Sequence, residues 1–148
     1  MKLMNEALRL AKIAYENDEI PVGAVIALNG EIIASAHNTV EKEKDCTCHA
    51  EINAIKKACL YLDSKTLKDC EMYVSLEPCA MCAGAIINAR IKRLYVGASE
   101  PKTGSCISKV DLMKSGLFNH DVETYYGIGE EESMELMKNF FKSKRKKD

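Results

Sequence analysis

An α/β fold is what this sequence predicts, and three observations predict it. Apolar segments flank an Asn29-Gly30 pair, a strand–helix–strand pattern fills residues 71 to 97, and an amphipathic helix opens the chain and a terminal helix closes it. The 148 residues, 47% hydrophobic and 29% charged, are enough for one core and too few for two. Residues 1–148 are therefore expected to form a single domain.

Leu3, Ala7, Leu10, Ala11 and Ala14 recur at helical spacing, with Lys2, Glu6, Arg9 and Lys12 elsewhere, which predicts an amphipathic helix over 3–17 lying on a flat surface. Residues 22–28 are apolar on both alternating faces and read as a central strand. Asn29-Gly30 favours the tight turn of a hairpin, and the second strand follows over 31–37. Residues 39–48 are polar and charged and read as an exposed loop. Ile52, Ile55, Cys59 and Leu62 then restore a helix from near 49 to 63. A strand over 71–76, a helix with Pro78 in its first turn running to about 88, and a strand over 92–97 make a crossover unit, which favours parallel pairing with helices against the sheet. Residues 98–108 read as a loop, 121–126 as a fifth strand, and 130–144 as a terminal helix whose Glu130, Glu131 and Glu132 complement its dipole. Residues 142–148 carry five basic residues and one acid and form a short basic tail. Met72, Met81, Met113, Met134 and Met137 read as packing residues.

Lys plus Arg number 21 against 22 Asp plus Glu, a formal net charge of −1. No global basic field draws such a chain to nucleic acid or anionic lipid, so a polyanionic partner has to be held locally. No apolar run approaches the ~20 residues that span a bilayer, and the first residues lead into a helix, not a secretory signal. The chain reads as cytoplasmic, with no membrane partner. Its seven cysteines, an odd set with two in a CxxC spacing, point to metal binding in preference to a disulfide framework.

The chemistry concentrates in two short motifs, His49-Ala50-Glu51 and Pro78-Cys79-Ala80-Met81-Cys82, each at a predicted helix start. Cys79 and Cys82 are three apart and share a helix face, and the N-terminal end of the dipole favours their thiolates. On a regular helix His49 and Glu51 diverge by about 200 degrees, so both reach one centre only if they straddle the loop-to-helix junction. His49, Cys79 and Cys82 supply three metal ligands and leave a fourth position open, the arrangement of a catalytic zinc. Zinc activates water at neutral pH, and the unligated carboxylate of Glu51 is placed to take and return its proton.

HAE followed about thirty residues later by PCAMC resembles the zinc-dependent cytidine/deoxycytidylate deaminase family. PVGAV at 21–25, Asn38, LEPCAMCAGAI at 76–86, Arg90-Ile91 and GASEPKTGS at 97–105 resemble its tRNA adenosine-deaminating branch over nearly the full chain. The resemblance implies a three-layer cytidine-deaminase-like fold with a five-stranded mixed sheet flanked by helices. It also implies one Zn2+ per chain, a homodimer, and hydrolysis of the wobble adenosine of a tRNA anticodon stem-loop to inosine with release of ammonia. Glu51 would shuttle protons from water to N1 of the purine and then to the departing amine. Asn38 would hydrogen-bond the flipped nucleotide, while the Ala50 and Cys79 backbones would hold the base and the developing oxyanion. Lys102, Phe141, Lys144 and Arg145 resemble positions that touch RNA, an aromatic surface with cations for phosphates.

Cys46 and Cys48, immediately upstream of His49, depart from that pattern and read as ordinary thiols, because catalysis needs an open ligand position. Cys106 reads as a loop thiol. A pI near 6.3 limits backbone neutralisation, so RNA affinity is expected to come from the tail and a shaped pocket. Two other readings use the same residues: deamination of a free base or nucleotide such as guanine, cytosine or dCMP, and a non-catalytic zinc module that binds RNA. Glu51 speaks against the second, since a structural site has no use for an unligated carboxylate.

Overall fold

The computed structural model describes residues 2–147, so Met1 and Asp148, the last residue of the basic tail, lie outside the described residues. In order, the elements are α1 (Lys2–Glu16), β1 (Gly23–Leu28), β2 (Glu31–His37), α2 (Val40–Glu43), α3 (Ala50–Leu62), β3 (Cys70–Leu76), α4 (Ala80–Asn88), β4 (Arg93–Ala98), β5 (Glu123–Tyr125) and α5 (Glu130–Lys147). The strands form one mixed sheet in the order β2-β1-β3-β4-β5. The hairpin pairs antiparallel, with Ala24 opposite Ala36, and β1 runs antiparallel to β3 on its other side. Both turn residues, Asn29 (φ 53°) and Gly30 (φ 81°), take the left-handed conformation that a two-residue hairpin connection demands. The crossover through α4 makes β3 and β4 parallel, and β5 adds parallel at the edge.

Strand alternation sends Ile26, Met72, Val74, Leu94 and Val96 to one face, where they pack with Ala54 and Ala58 of α3 and Ala83 and Ile86 of α4. Val25, Tyr73 and Tyr95 face the other way, against Met4, Ala7 and Leu8 of α1. α5 lies beside α1 and crosses β3 and β4 on that same face, giving three layers. α1 and β1 approach so closely that no side chain fits at Gly23: a Cβ there would strike the Ala7 carbonyl and stand 2.8 Å from Ala11 N and Leu10 Cβ. Gly23→Ala is therefore expected to destabilise the fold by about 1–3 kcal/mol, read as a lowered urea midpoint with an unchanged slope.

Three local expectations are corrected. Residues 39–48 are not all loop: one turn, α2, forms because the buried Glu19 carboxylate accepts Glu41 N–H at 2.9 Å and Lys42 N–H at 2.8 Å. Pro78 lies outside the helix, because Cys79 is the N-cap of α4 in an extended conformation (ψ 178°) and Pro78 O accepts Ser105 N–H at 2.9 Å. The fifth strand is three residues long instead of six, since the chain turns away through Gly127 and Gly129, both at positive φ. Cys106 is a loop thiol as expected, and it turns inward to join the core cluster with Leu94 and Val96.

Candidate metal and active site

Two helices start side by side, and their N-caps are His49 of α3 and Cys79 of α4, both in extended backbone conformation. An N-cap side chain projects from the helix end without following its surface, so His49 and Glu51, two residues apart, need not diverge as they would mid-helix. His49 Nδ1 lies 3.6 Å from Cys79 Sγ and 3.5 Å from Cys82 Sγ. Among the described residues these three form the one His, Cys, Asp and Glu group able to hold a metal ion, with all ligand atoms within 4.8 Å of one another. Cys46 and Cys48 fall outside it. The Cys79 thiol is held well below its ordinary range by hydrogen bonds from the Cys82 thiol and the His49 ring, so an anionic sulfur, the form that binds metal, is favoured here.

Glu51 sits one residue inside α3 and is only 3% exposed. Burial raises its pKa, its own backbone N–H and the charge of His49 oppose that, and the balance pushes the carboxyl up to about 7. That carboxyl can take and release a proton near neutrality, and it stands outside the donor cluster.

One cavity of about 880 Å³ opens over this floor. His49, Ala50, Glu51 and Cys79 border it, and Cys82 is fully buried beneath. Asn38 forms a side wall at the end of β2, its Nδ2 donating to Ile20 O at 3.3 Å and its Oδ1 accepting from Val40 N–H at 3.4 Å. Asn53 of α3 locks both flanks of that wall: its Nδ2 donates to His37 O (3.1 Å), Thr39 Oγ1 (2.9 Å) and Cys48 O (3.3 Å), fixing the residues on either side of Asn38 and the one before His49. Lys102 stands on the loop after β4, and Phe141, Lys144 and Arg145 border the cavity from α5. Every site residue expected from the sequence thus lies at this cavity or, for Cys82, under it.

The basic tail continues the helix to Lys147. Lys144 is engaged within the chain, its Nζ 2.8 Å from Asp18 Oδ1 and 5.5 Å from the centre of the Phe140 ring. Met134 and Met137, expected as packing residues, border the cavity, and Met134 is 53% exposed. Sequence reasoning also assigned no part to Glu77, whose buried carboxylate faces the 100–108 loop. Burial drives its pKa up, but hydrogen bonds from the Ser108 hydroxyl and from backbone amides outweigh that and hold it below the ordinary value. An acid in LEPC, between an apolar strand and Pro-Cys, was the available signal.

A three-layer mixed sheet, two helix N-termini bearing one imidazole and two thiols, and a buried carboxylate between them define a deaminase of the cytidine-deaminase-like class. Residues 1–145 match the MafB19-like deaminase family. The tRNA-specific adenosine deaminase of Rickettsia typhi is 47% identical over 144 residues, 96% of this chain and 97% of that protein. The chain belongs to the tRNA-specific adenosine deaminase family. A solved tRNA:A34 deaminase, described for A-to-I editing at the wobble position of transfer RNA, is 44% identical with a TM-score of 0.88, covering 91% of this chain and 98% of its own. A guanine deaminase from Nitrosomonas europaea, 24% identical with a TM-score of 0.81 over 93% of this chain and 82% of its own, shares the fold.

Proposed function

We infer that this enzyme hydrolyses the wobble adenosine of a tRNA anticodon loop, with water replacing the 6-amino group to give inosine and ammonia. The observation that carries the reading is the buried Glu51 carboxylate lying outside the His49–Cys79–Cys82 donor set yet bordering the same cavity. A purely structural site would bury that carboxylate at a cost with nothing to offset it.

Zinc fits the donor set. Bonds of about 2.3 Å to sulfur and about 2.0–2.1 Å to nitrogen, at a tetrahedral angle, separate N and S by about 3.6 Å; the structure has 3.6 and 3.5 Å. His49 Nδ1 and the two sulfurs would hold it, one ion per chain, and when bound it supplies the Lewis acidity that makes water a nucleophile at neutral pH. Glu51 takes the proton released by water and delivers it to N1 of the purine as C6 is attacked; it then carries the proton of the new C6 hydroxyl to the amine, so that the C6 carbonyl forms as the C–N bond breaks and ammonia leaves. Burial raises its pKa in the metal-free protein, and the charge of a bound ion beside it would draw that pKa back down, favouring the carboxylate form that takes the first proton. Ala50, whose N–H at the first helical position has no intrahelical acceptor, and Cys79 both border the cavity, and their backbones would hold the reacting base and its developing oxyanion. Asn38, held by Ile20 O and Val40 N–H with its neighbours fixed by Asn53, fixes the nucleotide.

A single-stranded loop lets the base leave its stack at a cost of a few kcal/mol at most. Beyond the base-sized floor, the apolar Met134, Met137 and Phe141 with the cations Lys102, Lys138 and Arg145 border a far larger cavity than a free base needs, which favours RNA over guanine, cytosine or dCMP. Such a substrate places the enzyme in the cytoplasm, and no helix among the described residues is long and apolar enough to cross a membrane. We propose that it acts as a homodimer, a reading supported by the family resemblance and by the apolar Leu60 and Tyr61, 82% and 69% exposed on α3.

The deciding assay incubates the zinc-loaded protein with an anticodon stem-loop bearing A at the wobble position, and separately with guanine, cytosine and dCMP, and measures inosine and ammonia. Turnover of a small base without turnover of RNA overturns the reading. Arg145→Ala is expected to raise KM for the stem-loop and to lessen its salt dependence by about one ionic contact. Lys144→Ala should do the same and also lose its Asp18 pair, an exposed contact worth about 0–1 kcal/mol.

A further inference from the structure

Glu77 is 3% exposed, and the chemistry proposed above makes no use of it. Its Oε2 accepts the backbone N–H groups of Cys106 (3.1 Å), Ile107 (2.8 Å) and Ser108 (2.8 Å). Its Oε1 accepts Glu100 N–H at 3.0 Å and the Ser108 hydroxyl. All five donors come from one loop, residues 100–108, and they compensate the buried charge with dipoles in place of a cation. The neighbouring Pro78 O accepts Ser105 N–H at 2.9 Å. Gly104 presses against the carboxylate from the loop side: a Cβ there would lie 2.5 Å from Glu77 Cδ and Oε1 and would strike Glu100 O.

The loop therefore has a buried foot, Gly104 to Cys106, clamped on Glu77, and an exposed crest, Pro101 to Thr103, at the mouth of the cavity. Glu100 Oε1 accepts Lys102 N–H at 3.0 Å and carries the clamp through to the crest. A free loop of this length would have to be ordered when a ligand binds, at a cost in affinity; a loop already ordered avoids that cost.

We propose that Glu77 is a positioning residue for substrate: by clamping the 100–108 loop it sets Lys102 and Thr103 in place to receive the phosphate backbone of the RNA. This rests on the tRNA reading. It differs from a role in supporting the metal helix, which adjacency to Cys79 alone would suggest.

The two roles separate in Glu77→Gln. A glutamine can keep its oxygen toward Cys106, Ile107 and Ser108, but its NH2 then faces Glu100 N–H, donor against donor. With zinc-loaded protein and the anticodon stem-loop, KM is expected to rise about tenfold, from lost preorganisation, while kcat falls less than threefold. Metal content stays at that of the parent, and the amides of residues 106–108 exchange hydrogen faster. Lys102→Ala, expected to raise KM in the parent, should add little in the Glu77→Gln background, because the two act through one loop. Gly104→Ala, which forces the foot off the carboxylate without altering Glu77, should reproduce the KM change. If Glu77→Gln fails to fold, Gly104→Ala and Ser108→Ala make the same comparison. An unchanged KM despite faster exchange in the loop overturns the proposal, as do full additivity with Lys102→Ala and a loss of metal and kcat with KM unaltered. A parent enzyme inactive on the stem-loop shows instead that the tRNA reading has failed, which is visible before any variant is made and removes this proposal with it.

Discussion

Glu51→Gln is expected to lower adenosine deamination by about a thousandfold, within the range a positioned general acid–base group contributes, while metal content stays at about one ion per chain. Glutamine has the shape of the side chain it replaces but neither takes nor returns a proton, and the three donor atoms of the metal site belong to other residues. A fall in metal content parallel to the fall in rate would show that Glu51 is a ligand. A second readout comes from stability. In the metal-free parent the carboxyl is raised from its ordinary value of 4.5 to about 7 by burial, so ionising it opposes folding. That destabilisation sets in as pH rises above 4.5 and is complete beyond about 7. Metal-free Glu51→Gln should therefore be more stable than the metal-free parent at pH 8, and the difference should shrink as the pH is lowered toward 4.5. Urea unfolding of both proteins with chelator present, across that pH interval, measures it.

The parts legible in the sequence are those whose chemistry is local. Asn29-Gly30 announces its own turn, because two consecutive residues at positive φ are tolerated there and in few other dipeptides. His49, Cys79 and Cys82 carry their meaning in type and spacing. Their placement at two helix starts follows from where the apolar periodicity begins, and the structure seats His49 and Cys79 as N-caps. What stayed hidden depends on partners distant in the chain. Glu19 and Glu77 look like ordinary surface acids until the amides of residues 41–42 and 100–108 fold around them. α2 went unseen for the same reason, since its polar residues form a turn only with the Glu19 carboxylate at its start. Met134 and Met137 fit an apolar stripe on α5, and periodicity cannot tell a face against the core from a face against an open cavity. Pro78 suited the first helical turn by propensity, yet Cys79 took the cap.

Cys82→Ala should abolish metal binding and with it all detectable turnover. Its sulfur is fully buried at the third position of α4, 3.5 Å from His49 Nδ1. An alanine leaves one imidazole and one thiolate, too few donors to retain the ion through purification. The Cys79 sulfur also loses the thiol that lowers its pKa most. Two effects on stability are then mixed, a small cavity in the core and the lost ligand. An ion that binds only the folded state adds about 2.7 kcal/mol when present at a hundred times its dissociation constant. The cavity left by a single sulfur is expected to cost about 1 kcal/mol. A chelator separates them. In the parent it should lower Tm and abolish activity; in Cys82→Ala it should do neither, because nothing remains to be stripped, and the Tm gap between the two chelated proteins is the cavity contribution alone. Cys46→Ala is the control, since Cys46 is exposed and outside the donor cluster, and it should keep metal, activity and chelator sensitivity. If Cys82→Ala retained a chelator-sensitive Tm, another group would have to complete the site, and the free Cys48 just before His49 is the residue to replace next.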